Sequence, residues 1–318
     1  MTQQPSRRAF LAATLGGSTL AACSPEAPET ESAPAAAANS VEPRMKLSLS
    51  VRVAEKFDNK REASLTIDQL IQLARDNGYE ALCMRASQAG THTAPEEIQR
   101  IGKAIHDTGM AVSMVTGDFF VPQNDEHGPD GLRNITPYLD LAEAFGTDLI
   151  RVCMKKPEDI GWVQKAADEA KERDIRLAHQ AHNASLFETV EGSVDVLRKV
   201  GRENFGIIYE PANWFVAGED YGKNGILAVK DHIFNVYVQN HRLNPEGQSM
   251  LNTWGKGKVG VDHIGLWDKG GCNFEEVFET LHGINYRGYV TVHQAFEGVM
   301  SVDEAIRRSY GYLRPLTA

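Results

Sequence analysis

The sequence predicts one α/β domain, a single (β/α)8 barrel over residues 45–318. Three observations predict it. Eight short, apolar, β-rich runs alternate with amphipathic segments at helical spacing. About 270 residues is the length that eight such strand–helix units need. The first run leads into Arg52-Val53-Ala54-Glu55-Lys56, which lacks the glycine fingerprint that an open doubly wound sheet usually carries after its first strand.

The chain of 318 residues is 42 % hydrophobic and 24 % charged, a globular balance that excludes wholesale disorder. It holds no uninterrupted apolar run of about 18 residues, so no ordinary membrane span is expected. Its formal charge of −10, with no lysine or arginine block, argues against a nucleic-acid partner.

In chain order, the barrel follows an export segment. Ser6-Arg7-Arg8-Ala9-Phe10-Leu11 precedes a mildly apolar stretch over Ala12–Ala22. A twin arginine before a short apolar region reads as a twin-arginine signal peptide over residues 1–22. Leu20-Ala21-Ala22-Cys23 resembles a bacterial lipobox, which makes Cys23 the lipidated N-terminus of the mature protein. Residues 23–44 are rich in Ala, Pro, Glu and Ser without apolar period, and read as a flexible linker. The expected location is the periplasm-facing bacterial envelope, anchored to the membrane through lipid.

The strand runs are Leu47–Val53, Ala81–Met84, Ala111–Val115, Leu149–Met154, Ile175–Ala181, Phe205–Tyr209, Ile233–Gln239 and Tyr289–His293. Thr66–Asp76 places Ile67, Leu70, Ile71 and Ala74 on one helical face. Pro95-Glu96-Glu97 opens the next helix with proline and acid in its first turn, and Gly109 stops it. Helical segments follow over Ile135–Phe145, Glu158–Arg173 and Val190–Val200, the last closing at Gly201. Gly222–Asp231 is short, and Phe274–His282 and Val302–Leu313 complete the set. Cys83, Cys153 and Cys272 show no C-x-x-C spacing and read as buried small hydrophobes rather than a disulfide or zinc framework.

Barrels of this kind place chemistry at the C-terminal ends of their strands. Side chains alternate across a strand, so residues of one parity share a face. The inward set then includes Gln180, His182, Glu210, Tyr237, Gln239, His241 and His293. Strands two to four contribute Arg85, Asp118 and Lys155 at the same end. One carboxylate among several imidazoles suits divalent-metal or acid/base chemistry.

Three segments carry a resemblance to a known family. Ala74-Arg75-Asp76-Asn77-Gly78-Tyr79-Glu80-Ala81 comes first, then Tyr209-Glu210-Pro211-Ala212-Asn213 with Ala217-Gly218-Glu219-Asp220, then Tyr286-Arg287-Gly288-Tyr289-Val290-Thr291-Val292. In order and spacing the chain from about Lys46 to Leu316 resembles the xylose-isomerase-like sugar phosphate isomerase/epimerase superfamily. The resemblance implies a divalent metal held by two glutamates, an aspartate and a histidine from strands five to eight. Those positions fall on Gln180, Glu210, Tyr237 and His293, so only Glu210 keeps a carboxylate. Either a rearranged site of Glu210, His293 and Gln180 holds zinc or manganese, or the protein works without a metal. The multi-zinc DNA-repair branch of the superfamily does not suit so acidic a chain.

The expected function is a sugar isomerase, epimerase or related lyase on oxidised glycosides, drawing a proton from beside a carbonyl. Glu210 and His293 would be the catalytic pair. His182, Asn213, Gln239, His241 and Arg242 would hold substrate hydroxyls, and Trp214 either stacks on a sugar face or belongs to the core. The alternative is a non-catalytic carbohydrate-binding lipoprotein that has lost the family's metal site. The sequence leaves substrate and oligomeric state open.

Overall fold

In the computed structural model, residues 44–318 are described; the export signal, Cys23 and the linker before Arg44 lie outside the described residues. The barrel strands are β1 Lys46–Ser50, β2 Ala81–Arg85, β3 Ala111–Thr116, β4 Leu149–Val152, β5 Arg176–Gln180, β6 Phe205–Tyr209 and β7 Ile233–Val238. After β7 the chain makes three shorter strands, β8 His241–Leu243, β9 Ser249–Thr253 and β10 Gly257–His263, before the last barrel strand, β11 Tyr289–Val292. The barrel is closed in the order β1-β11-β7-β6-β5-β4-β3-β2, and all its pairs are parallel. Pairing of Lys46 with Tyr289 and of Leu49 with Val292 joins the first strand to the last.

Local chemistry explains the helices. Ile67–Asn77 starts on a reciprocal capping box between Thr66 and Gln69, and stops at Gly78, whose φ of 90° an L-residue seldom adopts. Its buried face is Ile67, Leu70, Ile71 and Ala74, the stripe its periodicity predicts. Val190–Val200 starts on the Thr189 side chain and ends at Gly201. A helix over Pro211–Ala217, which the sequence reading leaves unassigned, begins with proline directly after Glu210.

The core has two parts. Between strands and helices packs the larger shell, including Leu47, Leu49, Leu82, Met84, Val236 and Val238. Inside the barrel a smaller layer of Cys83, Met114, Leu149, Ala178, Ile208 and Tyr237 plugs the lumen. Polar side chains stand above this plug, at the C-terminal ends of the strands. Cys83, Cys153 and Cys272 are buried free thiols.

Two differences from the sequence reading shape the mouth. β1 ends at Ser50 rather than Val53, because the Ser50 side chain accepts the Arg52 backbone N–H and starts a 3-10 turn over Val51–Ala54. That turn brings Arg52 and Glu55 to the barrel rim. The connection after β7 is a three-stranded antiparallel sheet in the order β8-β10-β9, not a simple loop into the helix over Phe274–Gly283. Among the described residues no helix is long and apolar enough to cross a membrane.

Candidate active site

Glu210 follows β6 as the residue before the helix over Pro211–Ala217, and its side chain is fully buried. Its Oε2 accepts hydrogen bonds from Gln180 Nε2 and from Asn213 Nδ2, the latter at 2.7 Å. Its Oε1 is buried without a partner. Burial drives its pKa up to about 7, against the opposing pull of Gln180, Arg151 and Gln239. A carboxyl poised near neutrality takes and releases a proton with little bias, which suits a general acid or base.

Above Glu210 opens a cavity of about 480 Å³. Gln180, Asn213 and Gln239 form its floor over the carboxyl, while His182, His241 and His293 stand in its wall. Asn213 is fixed by donating to Ala181 O at 2.8 Å as well as to Glu210. His182 Nδ1 lies 2.8 Å from Asn183 O and 3.1 Å from Asn124 Nδ2. His293 Nδ1 lies 3.2 Å from Ser50 Oγ, and its ring stacks on Tyr237 with centroids 3.8 Å apart. Burial pushes His182 and His293 well below the usual imidazole range, with Arg151 adding to both and Arg85 to His293. His241 is lowered to about 3 by burial, and its Nδ1 has no partner. All three rings are therefore neutral at physiological pH.

One predicted contact falls elsewhere, and the open choice for Trp214 resolves to the core. Arg242 is half-exposed on β8, outside the cavity wall, with its guanidinium 3.4 Å from Asp262. Trp214 is a core residue, fully buried, donating from Nε1 to Phe187 O at 3.1 Å. Asp118 accepts the Phe120 backbone N–H at 2.7 Å and stands away from the cavity.

The structure adds residues that the sequence reading passed over. Arg151, on β4, is buried inside the barrel, with Nε and Nη1 unpartnered. Its parity with Leu149, which faces the lumen plug, was the available signal, but it sits in an apolar run. Arg85, which the sequence does place at this end of the barrel, is buried against Glu55, its Nε and Nη2 donating at 2.7 and 3.0 Å. Arg52, Lys60 and Asn124 complete the rim from loops that show no period.

These residues do not fit a divalent metal. Among the described residues no three of His, Cys, Asp and Glu come together as a ligand group. Gln180 turns its amide nitrogen to Glu210, and a neutral amide is a poor replacement for the carboxylate that the resemblance implies at this position. The Tyr237 hydroxyl is 3.3 Å from Cys83 Sγ, and its ring covers His293. Arg151 already brings a buried positive charge close enough to act on Glu210 and Tyr237, where a cation would be opposed. Of the predicted set of Glu210, His293 and Gln180, one carboxylate and one imidazole remain, too few for a closed zinc or manganese site.

Comparison with known proteins agrees with this fold. The family described as Xylose isomerase-like TIM barrel matches residues 71–316, and the chain belongs to it. No curated protein matches the sequence. A probable 3-DHS dehydratase from Bacillus anthracis superposes with a TM-score of 0.64 at 15% identity, covering 85% of this chain and 99% of that one. D-psicose 3-epimerase from Clostridium cellulolyticum gives 0.61 at 13% identity, over 86% and 99% of the two chains. A family protein from Mycobacterium smegmatis, solved in complex with magnesium, gives 0.62 at 14% identity, over 86% and 98%. At these identities the likeness is one of fold.

Proposed function

We propose that the protein is a sugar-active isomerase or epimerase, or a related lyase, in which Glu210 moves a proton from the carbon beside a carbonyl. The observation that carries this reading is the Glu210 carboxyl itself. It is fully buried beneath a polar cavity, held on one oxygen by two amides, free on the other, and raised to about 7.

In the proposed step, the ionised Glu210 takes the C–H proton, and the electron pair left behind forms an enediolate as the carbonyl oxygen gains negative charge. Arg151 supplies fixed positive charge near that oxygen, in place of a metal. Return of the proton from Glu210 to the neighbouring carbon, with the hydroxyl proton passing by way of His293 from one enediolate oxygen to the other, gives an isomer; loss of a β-substituent, which leaves with the proton that Glu210 took, is a lyase reaction. His293, held neutral, acts as the second acid/base or a hydroxyl contact, while His182, Asn213, Gln239 and His241 hold hydroxyls. Gln180, Asn213 and Gln239 screen the carboxyl, so the substrate reaches it when Gln180 turns aside.

That screen also favours a second reading, a carbohydrate-binding protein without catalysis. Incubation with candidate sugars in heavy water separates the two: an enzyme labels the carbon beside the carbonyl, whereas a binder leaves every sugar unlabelled. As part of the same proposal, the protein works at the bacterial envelope, exported by Arg7 and Arg8 and anchored by lipid on Cys23.

A further inference from the structure

Charge, rather than hydroxyl-binding capacity, distinguishes the cavity. Arg52, Lys60, Arg85 and Lys155 line it, and Asp125 is the sole acid among its lining residues. Arg151 lies buried behind them. Glu55 serves two guanidiniums at once, Arg52 at 3.3 Å and Arg85 at 2.7 Å. Lys60 Nζ reaches only the Pro122 carbonyl, at 3.4 Å, and Lys155 Nζ donates to the carbonyls of Asn124 and Ala184. Among the described residues neither lysine pairs with a carboxylate, and neither does Arg151. Arg85 Nη1 and Arg151 Nε and Nη1 are buried without partners.

A protein of formal charge −10 thus keeps a local excess of cations in one partly closed site. Burial, then Arg52, Arg85 and Arg151, lower the Lys60 ammonium to about 7, so a bound anion is what would keep it fully charged at neutral pH. Such groups cost free energy unless something of opposite charge meets them.

We infer that the cavity takes a sugar bearing a carboxylate, of uronic- or aldonic-acid type, with the acid group on Lys60 and Arg52 and the hydroxyls on the amide and imidazole floor. A planar carboxylate suits one ammonium beside one guanidinium whose other side is held by Glu55. The inference deepens the proposed function and rests on it, because it names the substrate class for the same site.

Calorimetric titration tests it. D-glucuronate, D-galacturonate and D-gluconate are each compared with D-glucose, D-galactose and D-glucose 6-phosphate, on the wild type and on Lys60→Gln. Lys60 is half-buried in a loop, and circular dichroism checks that the variant keeps its fold. At least one acid should bind ten times or more tighter than its neutral parent, weaken with added salt, and lose at least tenfold in Lys60→Gln while the neutral sugars stay unchanged. Three results would overturn the inference: no acid bound more tightly than its parent, undiminished acid binding in Lys60→Gln, or the phosphate ester preferred to every carboxylate. The titration reads binding alone. A protein that binds the acids yet exchanges no proton in heavy water refutes the enzymatic reading and leaves this one standing.

Discussion

Glu210 illustrates what a single residue's surroundings decide. A carboxyl raised to about 7 keeps its proton in the folded state over a pH range where the unfolded chain has released it. Its contribution to stability is therefore full below pH 4.5 and is lost as pH rises through about 7. Glu210→Gln lacks this titration, so the variant should gain about 3 kcal/mol relative to the wild type between those limits, measured by denaturant unfolding across pH. Activity should move the other way. The base form grows as pH rises through about 7, and the wild-type rate should grow with it. Above pH 7 Glu210→Gln should lose about 10²–10⁴-fold in rate, the usual share of general acid–base catalysis, and the deficit should shrink as pH falls and the wild type protonates. A flat pH profile would point away from Glu210 as the base.

The sequence marked Glu210 and His293 because both sit at inward parity just beyond strands with clear apolar runs. It hid Arg151 and Lys60 for different physical reasons. Arg151 interrupts an apolar strand, where pattern reading averages over a lone charge; Lys60 lies in a loop whose path is set by tertiary contacts alone. Arg242 has the parity opposite to inward-facing His241, and on β8 it points out of the cavity toward Asp262.

Elements follow the same division. Barrel strands and capped helices were legible, since each combines periodicity with its own stop signals. The β8-β10-β9 sheet was not: Ser249–Thr253 and Gly257–His263 are short, mostly polar, and stabilised by pairing rather than by a buried face. This sheet supplies Ser249, Met250, Leu251, Asn252 and His263 to the cavity wall. Buried Glu188 anchors it, accepting the backbone N–H groups of Trp254 and Gly255 at 2.8–2.9 Å and also that of Ala184. Glu188→Gln should cost about 1–3 kcal/mol locally, through weaker acceptors for these donors. Hydrogen exchange should then rise about tenfold or more over Ser249–His263, with barrel strands unaffected. Unchanged exchange there would show that Glu188 does not hold the sheet.

At the scale of the whole molecule, buried and half-buried imidazoles set the acid limit. His179, His182, His241, His263 and His293 all fall below the usual value of 6.5, burial being the first cause in each case. A depressed folded pKa gives stability that is present above 6.5 and lost as pH falls, because the unfolded chain takes protons that the folded one refuses. Glu210 opposes this, but five rings outweigh one carboxyl. Thermal unfolding should therefore show a melting temperature that drops steeply below pH 6, and a flat profile down to pH 4.5 would contradict the burial of these rings.

The export proposal belongs to this scale too. Replacing Arg7 and Arg8 with Lys should trap precursor in the cell, and Cys23→Ala should release the protein from membranes; membrane-bound Cys23→Ala would refute the lipid anchor. Barrel chemistry without a metal is the central claim, and solvent-proton exchange tests it most directly. After treatment with chelator, the wild type should incorporate deuterium beside the carbonyl of its sugar substrate at an undiminished rate, and Glu210→Gln should incorporate none above background. Exchange that vanishes with the chelator and returns with zinc, manganese or magnesium, or that persists in Glu210→Gln, would contradict it.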